Sequence, residues 1–454
     1  MLELTMKSIS YKRKLISGLL FTALSTTVAT TAANAEQKSL EQLLKERTNQ
    51  VESKVINWRR HIHENPELSN REFETAKYIT EHLKSLGLKV QTEVAHTGVV
   101  AILEGAKPGP VVALRADMDA LPVKERAPLD FASKVMAEYN GEQVPVMHAC
   151  GHDTHVAILM GVAEILTGMQ QDLAGTVKFI FQPAEEGAPA GEEGGAELMV
   201  KQDVLKNPAV DVIFGLHISS GMDVGTIGVK PEGIMAGVDN MKITIKGKQS
   251  HGSTPWNSVD PIVTSAQIIN GLQTVVSRHM NLTQDPAVVT IGSIHGGVRS
   301  NIIPEQLEML GTVRTFSEDD KKVTRKLITE KAKLIGESMG ADVEVKIPYS
   351  SSYPVTFNDA DLTKQMMPTL KAVAERVAII KPITGAEDFS FYAKEVPGLF
   401  FFLGGKSPDA SPGSIGAHHT PDFYIDESGM KYGVEALTRL TLDYLEQDSV
   451  KAGK

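Results

Sequence analysis

The order in which strand-like and helix-like runs follow one another constrains this chain more than any other feature of it. Residues 38–65 and 72–86 carry apolar side chains at helical spacing, whereas Val99–Leu103 and Val111–Arg115 are short apolar runs bounded by Gly and Pro that read as strands. A helix at Val156–Gln170, a strand at Thr176–Phe181, a helix at Gly195–Lys201 and a strand at Val212–Leu216 continue the alternation. Strands separated by helices pair through crossovers, so the pattern predicts a largely parallel sheet covered on both faces. Then the order changes. A strand at Lys242–Lys246 is followed by a helix at Pro261–Arg278, strands at Ala287–Ile294 and Gln306–Arg314, a helix at Asp320–Met339 and a strand at Ala341–Lys346. That β-α-β-β-α-β order is the signature of a ferredoxin-like module. From about Asp359 helix–strand alternation resumes and ends in a helix at Glu427–Glu446. The expected fold class is therefore α/β. A mainly parallel sheet is built from residues 36–234 and 348–454, and an α+β module of ferredoxin-like order is inserted at 235–347.

Residues 1–35 are set apart from that fold as a signal peptide. Lys7, Lys12, Arg13 and Lys14 precede an apolar run from Leu15 to Leu24, and Ala33-Asn34-Ala35 forms a small-x-small cleavage pattern before Glu36. The apolar run is too short to span a bilayer, no later run reaches that length, and no cysteine lies near the cut, so a membrane or lipoprotein anchor is not expected. The reading is a secreted protein, periplasmic after cleavage, of 419 residues, enough for two domains with cores of their own. The leader holds four basic residues against one acid, so the remainder carries −13 where the whole chain carries −10. That charge argues against nucleic acid and anionic membranes as partners.

Cys150 is the only cysteine of the 454 residues, so it forms no disulfide within the chain. In an oxidising compartment it is buried and inert, paired between chains, or bound to a metal. Its surroundings favour the metal. Met147-His148-Ala149-Cys150-Gly151-His152-Asp153-Thr154-His155 gathers three imidazoles, a thiol and a carboxylate ahead of a predicted helix. Thiolate and imidazole are ligands that borderline divalent metals prefer, and Gly151 allows the turn that Cys150 and His152 need in order to converge.

Further candidates lie at predicted strand ends, the edge where open α/β sheets bind ligands. In Phe181-Gln182-Pro183-Ala184-Glu185-Glu186-Gly187 two adjacent carboxylates point in different directions, so that one can bind metal while the other handles a proton. His217 ends the strand of Ile213-Phe214-Gly215-Leu216-His217, and His418-His419-Thr420-Pro421 follows a Gly/Pro/Ser loop. Each offers a ligand that a tetrahedral or five-coordinate metal would still need. Asp117 and Asp119, in Arg115-Ala116-Asp117-Met118-Asp119-Ala120-Leu121-Pro122, read as acids that orient a ligand histidine.

These motifs, in this order from roughly Trp58 to the last helix, resemble the aminoacylase and carboxypeptidase family of metallopeptidases. They are most similar to the branch with hippurate hydrolases and plant auxin-conjugate amidohydrolases, where Cys-Gly-His replaces an aspartate at the bridging position. The resemblance implies that Cys150 bridges two divalent metals and that His152, Glu186, His217 and His419 complete their coordination. It implies that Glu185 is the general base. It also implies that the inserted module both dimerises the protein and acts as a lid whose His251 reaches the partner's site, and that the module contributes Asn301 and Arg314 to the site as well. Those last two residues are then substrate-binding. One departure stands out: Ala188–Gly195 is longer than in the plant proteins and carries a second acid pair, Glu192-Glu193.

The implied activity is hydrolysis of the amide bond of N-acyl amino acids by a metal-activated water, in a homodimer. A thiolate favours zinc, and manganese, cobalt or nickel suit the same ligands. A dipeptidase or carboxypeptidase on small peptides is the nearest alternative. A binding protein on the same scaffold is a further one, which would have no use for Glu185.

Overall fold

The computed structural model describes residues 39–411 and 416–452, with side chains to residue 446. The expected signal peptide lies outside the described residues. Ser39 and Gln42 form a capping box that starts the first helix, Leu40–Glu64, and Phe73–Ser85 follows as the second.

Eight strands form the large sheet, in the order Lys89–Val94, Gly98–Glu104, Ala174–Gln182, Lys107–Asp117, Val212–Asp223, Gly398–Lys406, Thr226–Val229 and Arg376–Ile379. Its centre is parallel, with Lys107–Asp117 between Ala174–Gln182 and Val212–Asp223, and Gly398–Lys406 beside the last of these. The first two strands form an antiparallel hairpin at one edge, and Thr226–Val229 runs antiparallel to Gly398–Lys406. Every residue from Gly398 to Gly405 is buried, which a strand covered on both faces requires. One face packs against the helices Leu40–Glu64, His152–Thr167 and Met430–Ala452, the other against Gly195–Lys201 and Phe389–Glu395.

The inserted module has the order Val288–Gly296, Gln306–Thr315, Gly237–Lys246, Asp342–Lys346, all antiparallel, with helices Pro261–His279 and Glu318–Ser338 on one side. It has its own core around Ile243, Leu272, Met309 and Ile328. Tyr353 pairs with Val238, and Thr356–Asn358 pairs with Glu232–Met235, so the chain enters and leaves the module along adjacent strands.

Several elements differ from expectation. The strands Lys89–Val94, Thr226–Val229 and Arg376–Ile379, and the hairpin Met136–Tyr139 with Glu142–Pro145, were not foreseen. The third helix starts at His152 rather than Val156, because its polar first turn is buried against the strand ends instead of forming a loop.

Candidate metal centre and substrate cleft

The parallel strands Lys107–Asp117, Ala174–Gln182 and Val212–Asp223 bring Asp117, Gln182 and His217 towards one edge of the sheet, and Asp117 and Gln182 are register partners. Helix His152–Thr167 begins at that edge. Gly151 precedes it at φ 99°, and a Cβ there would lie 2.3 Å from Cγ2 of Ile218, so only glycine lets Cys150 and His152 flank the turn.

Five histidines crowd this edge, and their ring nitrogens fall into two sets. His155 donates from Nδ1 to Asp117 Oδ1 and accepts at Nε2 from Ile218 N–H at 2.8 Å. His418 donates from Nδ1 to the Cys150 carbonyl at 3.0 Å and accepts at Nε2 from Ser220 N–H at 3.2 Å. Both rings are thus fully engaged by the protein. His152, His217 and His419 are different. His152 Nδ1 donates to the Asp119 carbonyl at 2.9 Å, while its Nε2 is buried with no hydrogen-bond partner. His217 donates from Nδ1 to Ile218 O and points Nε2 at Cys150 Sγ, 3.4 Å away. His419 Nε2 lies 3.2 Å from the same sulfur and 3.0 Å from Glu186 Oε1, a carboxylate oxygen that also lacks an aligned hydrogen bond. Three imidazole nitrogens, a thiol and a carboxylate therefore converge, and two of these atoms, His152 Nε2 and Glu186 Oε1, have no aligned hydrogen bond. That donor set fits two borderline divalent ions, and buried polar atoms left without partners are costly unless something else binds them.

The acids around the cluster hold these groups in place. Asp119 accepts from His152, from Ser69 Oγ at 2.7 Å and from Glu186 N–H at 3.0 Å, so it holds the His152 ring and the Glu186 backbone together. Asp117 orients His155 instead and pairs with Arg115 at 2.6 Å. Buried Arg115 reaches Glu387 at 2.9 Å and Asp388 at 2.8 Å as well.

Glu185 stands beside this network, its carboxylate 3.8 Å from His152 Nε2. Burial, followed by the charges of Glu387 and Glu186, pushes its carboxyl well above the usual range. Burial, followed by the charges of Glu186 and Glu185, raises the Cys150 thiol. An excess of buried negative charge is a site that cations relieve. The turn that carries Glu185 is held twice: Ala184 N–H donates to Glu72 at 2.9 Å, and Tyr353 Oη donates to the Glu185 carbonyl at 3.1 Å.

A cavity of about 580 Å³ opens from the cluster towards the inserted module. Cys150, Glu185, Glu186, His217 and His419 line one end, and Arg314 lines the other. Among the described residues the Arg314 guanidinium has no acid partner; its Nη1 donates to Thr384 O at 3.4 Å, and burial lowers its pKa. His251 and Asn301 lie together elsewhere, since His251 pairs with Ile302 and Gly252 N–H donates to Asn301 O at 2.8 Å. Both are exposed, and neither lines the cavity of their own chain. Glu192 is paired with Arg71 at 2.6 Å and Glu193 with Lys201 at 2.8 Å, away from the cluster that holds Glu186.

Sequence reasoning missed Glu387, Asp388, Tyr353 and Asn240. Glu387-Asp388 reads as a solvated acid pair before a short helix, and nothing marks Tyr353 or Asn240 as cleft residues. The hairpin 136–145 did carry a signal, because Asn140-Gly141 is the strongest short hairpin turn, here with φ of 52° and 83°.

The model of peptidase family M20/M25/M40 matches residues 113–443 of this chain, its strand ends and their ligand cluster included. The chain belongs to peptidase family M20. It is 40% identical over 406 residues to thermostable carboxypeptidase 2 of Saccharolobus solfataricus, covering 89% of this chain and 99% of that one. It is 36% identical over 405 residues to the IAA-amino acid hydrolase ILR1-like 2 of Arabidopsis thaliana, covering 87% of each. Among solved structures, the Bacillus subtilis YXEP protein, described as a dinuclear metal-binding peptidase of the M20 family, superposes with a TM-score of 0.73. The two are 36% identical, over 88% of this chain and 99% of the other. This M20 chain is accordingly a metal-dependent hydrolase of amide or peptide bonds.

Proposed function

We propose that this M20 hydrolase cleaves the amide bond of N-acyl amino acids, and that it does so as a periplasmic homodimer. The reading is carried by one arrangement: a cluster of His, Cys and Glu side chains with Glu185 at one end of a cleft and Arg314, which pairs with no acid among the described residues, at the other.

Cys150, His152, Glu186, His217 and His419 would hold the two ions, with Cys150 central because both His217 and His419 face its sulfur. Zinc suits the thiolate, and manganese, cobalt or nickel suit the same set. When bound, such ions lower the pKa of water and polarise a carbonyl. Glu185 takes the proton of the attacking water and returns it to the leaving amine, work for which a buried carboxyl with a raised pKa is suited. Arg314 grips the free carboxylate of the substrate, which gives an acidic protein an anion-binding end to its cleft. His251 and Asn301 of the second subunit donate to the developing oxyanion.

The inserted module supplies a face for the second copy. Val288–Gly296 is an open edge strand, and Trp256, Ile262, Val263, Ile294 and Val298 are apolar side chains left exposed on the same module. Open edges and clustered apolar surface are what a two-fold interface covers. Export rests on the leader pattern of residues 1–35, and among the described residues no helix is long and apolar enough to cross a membrane. N-terminal sequencing of protein from a periplasmic extract should begin at Glu36.

A carboxypeptidase or dipeptidase on small peptides would use the same cleft, so substrates decide. Rates on N-acetyl-methionine, hippurate and unblocked dipeptides, each with and without a chelator, test the reading. Chelator-sensitive cleavage of the acylated amino acids supports it, and turnover confined to the dipeptides contradicts it.

A further inference from the structure

The inserted module meets the turn that carries Glu185 through one cross-strand row of side chains. Val238 is the register partner of Arg314 on one flank and of Tyr353 on the other. Side chains in register on adjacent strands stand on the same face of a sheet, and all three of these line the Arg314 cleft. Asn240 and Ser351 line it as well, as the alternation of side chains along a strand requires.

The residues between them face the other way, and there the row is anchored. Buried Asp239 accepts from Arg325 at 2.6 and 2.5 Å and lies 3.6 Å from Lys321 Nζ. Lys321 donates to Ser352 Oγ at 3.1 Å and to the Tyr353 carbonyl at 2.5 Å, and Arg325 donates to Ser352 Oγ at 3.0 Å. Helix Glu318–Ser338 thus clamps the main chain of Tyr353 against strand Gly237–Lys246. Hydrogen bonds with a charged partner are the stronger kind, so this clamp is stiff.

From the clamped strands, both ends of the row reach the main domain. Arg314 Nη1 donates to Thr384 O at 3.4 Å. At the other end the half-buried Tyr353 ring packs edge-on against Phe391, with centroids 5.9 Å apart, and its hydroxyl donates to the Glu185 carbonyl at 3.1 Å. The amides on either side of that carbonyl, of Ala184 and Glu186, are held by Glu72 and Asp119 of the main domain. The Glu185 turn is therefore suspended between the two parts of the protein.

We propose that Tyr353 is a positioning residue of the reaction: through its hydroxyl, the row that presents Arg314 to the substrate also sets where the Glu185 carboxylate stands. This coupling rests on the reading above, in which Glu185 handles the proton and Arg314 takes the substrate's carboxylate. A group misplaced by about 1 Å at the reacting centre can cost about 10²-fold in rate. A carboxylate that draws in Arg314 moves Tyr353 with it, because Val238 joins the two across a clamped sheet. Binding energy from a remote part of the substrate then serves the chemical step.

Tyr353→Phe removes the hydroxyl and keeps the ring. In the metal-loaded full chain acting on N-acetyl-methionine, kcat should fall about tenfold with KM within about twofold of wild type. Metal content and cooperative unfolding should match wild type, and amide exchange at Ala184 and Glu186 in the metal-free chain should quicken. Arg314→Gln should lower kcat and raise KM, and the double variant should keep the kcat of Arg314→Gln alone rather than show the product of the two losses. Losses that multiply, or a wild-type kcat in Tyr353→Phe, overturn the coupling and leave the roles of Glu185 and Arg314 intact. Loss of metal or of folding in Tyr353→Phe overturns it too, by making the hydroxyl a structural contact. Unchanged kcat and KM in Arg314→Gln, or no cleavage of the acyl amino acid by wild type, contradicts the reading of the cleft and the coupling with it.

Discussion

Nε2 of His419 stands 3.2 Å from Sγ of Cys150 and 3.0 Å from Oε1 of Glu186. The adjacent His418 directs both its nitrogens at backbone groups, of Cys150 and Ser220. Two consecutive histidines thus serve different purposes, one facing the cluster and one bracing the backbone behind it.

That division predicts different failures. Cys150→Ser and His419→Ala should lower the metal-to-protein ratio measured by elemental analysis after dialysis, since a hydroxyl is a poor bridge and alanine no ligand. His418→Ala should instead strand the Ser220 N–H and the Cys150 carbonyl, costing about 1–3 kcal/mol of stability. Full metal occupancy in Cys150→Ser would refute ligation by the sulfur.

Gly151→Ala should cost about 2–5 kcal/mol, because it combines a left-handed backbone with a Cβ driven into Ile218. In an Ile218→Ala background, where that truncation carries its own cavity cost, Gly151→Ala should cost less than in wild type by the steric part. Denaturant unfolding of the single and double variants checks this; equal stability of Gly151→Ala and wild type would contradict it.

His148 gives a pH dependence. Its ring is buried with neither nitrogen bonded, and burial pushes its pKa down to about 3 from the ordinary 6.5. Between those values the unfolded chain binds a proton that the folded chain refuses, so stability falls as pH falls below 6.5. The slope from this one group approaches about 1.4 kcal/mol per pH unit. Unfolding free energies of metal-free wild type and His148→Phe, measured from pH 7 down to 4, should diverge in slope; parallel curves would show that His148 is not held neutral.

The position of His251 also makes an assembly prediction. It is exposed and outside its own cleft, so it should act across the dimer. Inactive His251→Ala and inactive Glu185→Gln chains, mixed and reassembled, should regain activity, because each mixed dimer holds one site with both groups intact. For random pairing the ceiling is about a quarter of wild type. No recovery after proven subunit exchange would place His251 in cis or outside catalysis.

Much of this was legible in the chain because strand–helix alternation and the β-α-β-β-α-β run are patterns of long range and strong period. Thr226–Val229 and Arg376–Ile379 were not legible, being four residues each and dependent on neighbours for their pairing. The first turn of helix His152–Thr167 reads as loop because its side chains are polar; they are buried because His152, Asp153 and His155 each bond a group outside their own helix. That Cys150 and the histidines after it are candidate ligands is visible in residue type and spacing. The network of Arg115 with Glu387 and Asp388 was not, since its members lie 270 residues apart and only the fold joins them. The choice of His419 over His418 comes from resemblance at the level of sequence, and the two rings differ in that His418 bonds backbone groups while His419 faces Cys150 and Glu186.

Everything proposed for the chemistry turns on Glu185 acting on water without holding metal. The most direct measurement pairs kcat with metal content in Glu185→Gln. The expected result is two ions per chain, unchanged from wild type, with kcat lowered by about 10²–10⁴-fold and KM little altered. Near-normal turnover with the metals in place would contradict that role, and loss of metal in step with activity would make Glu185 a ligand instead.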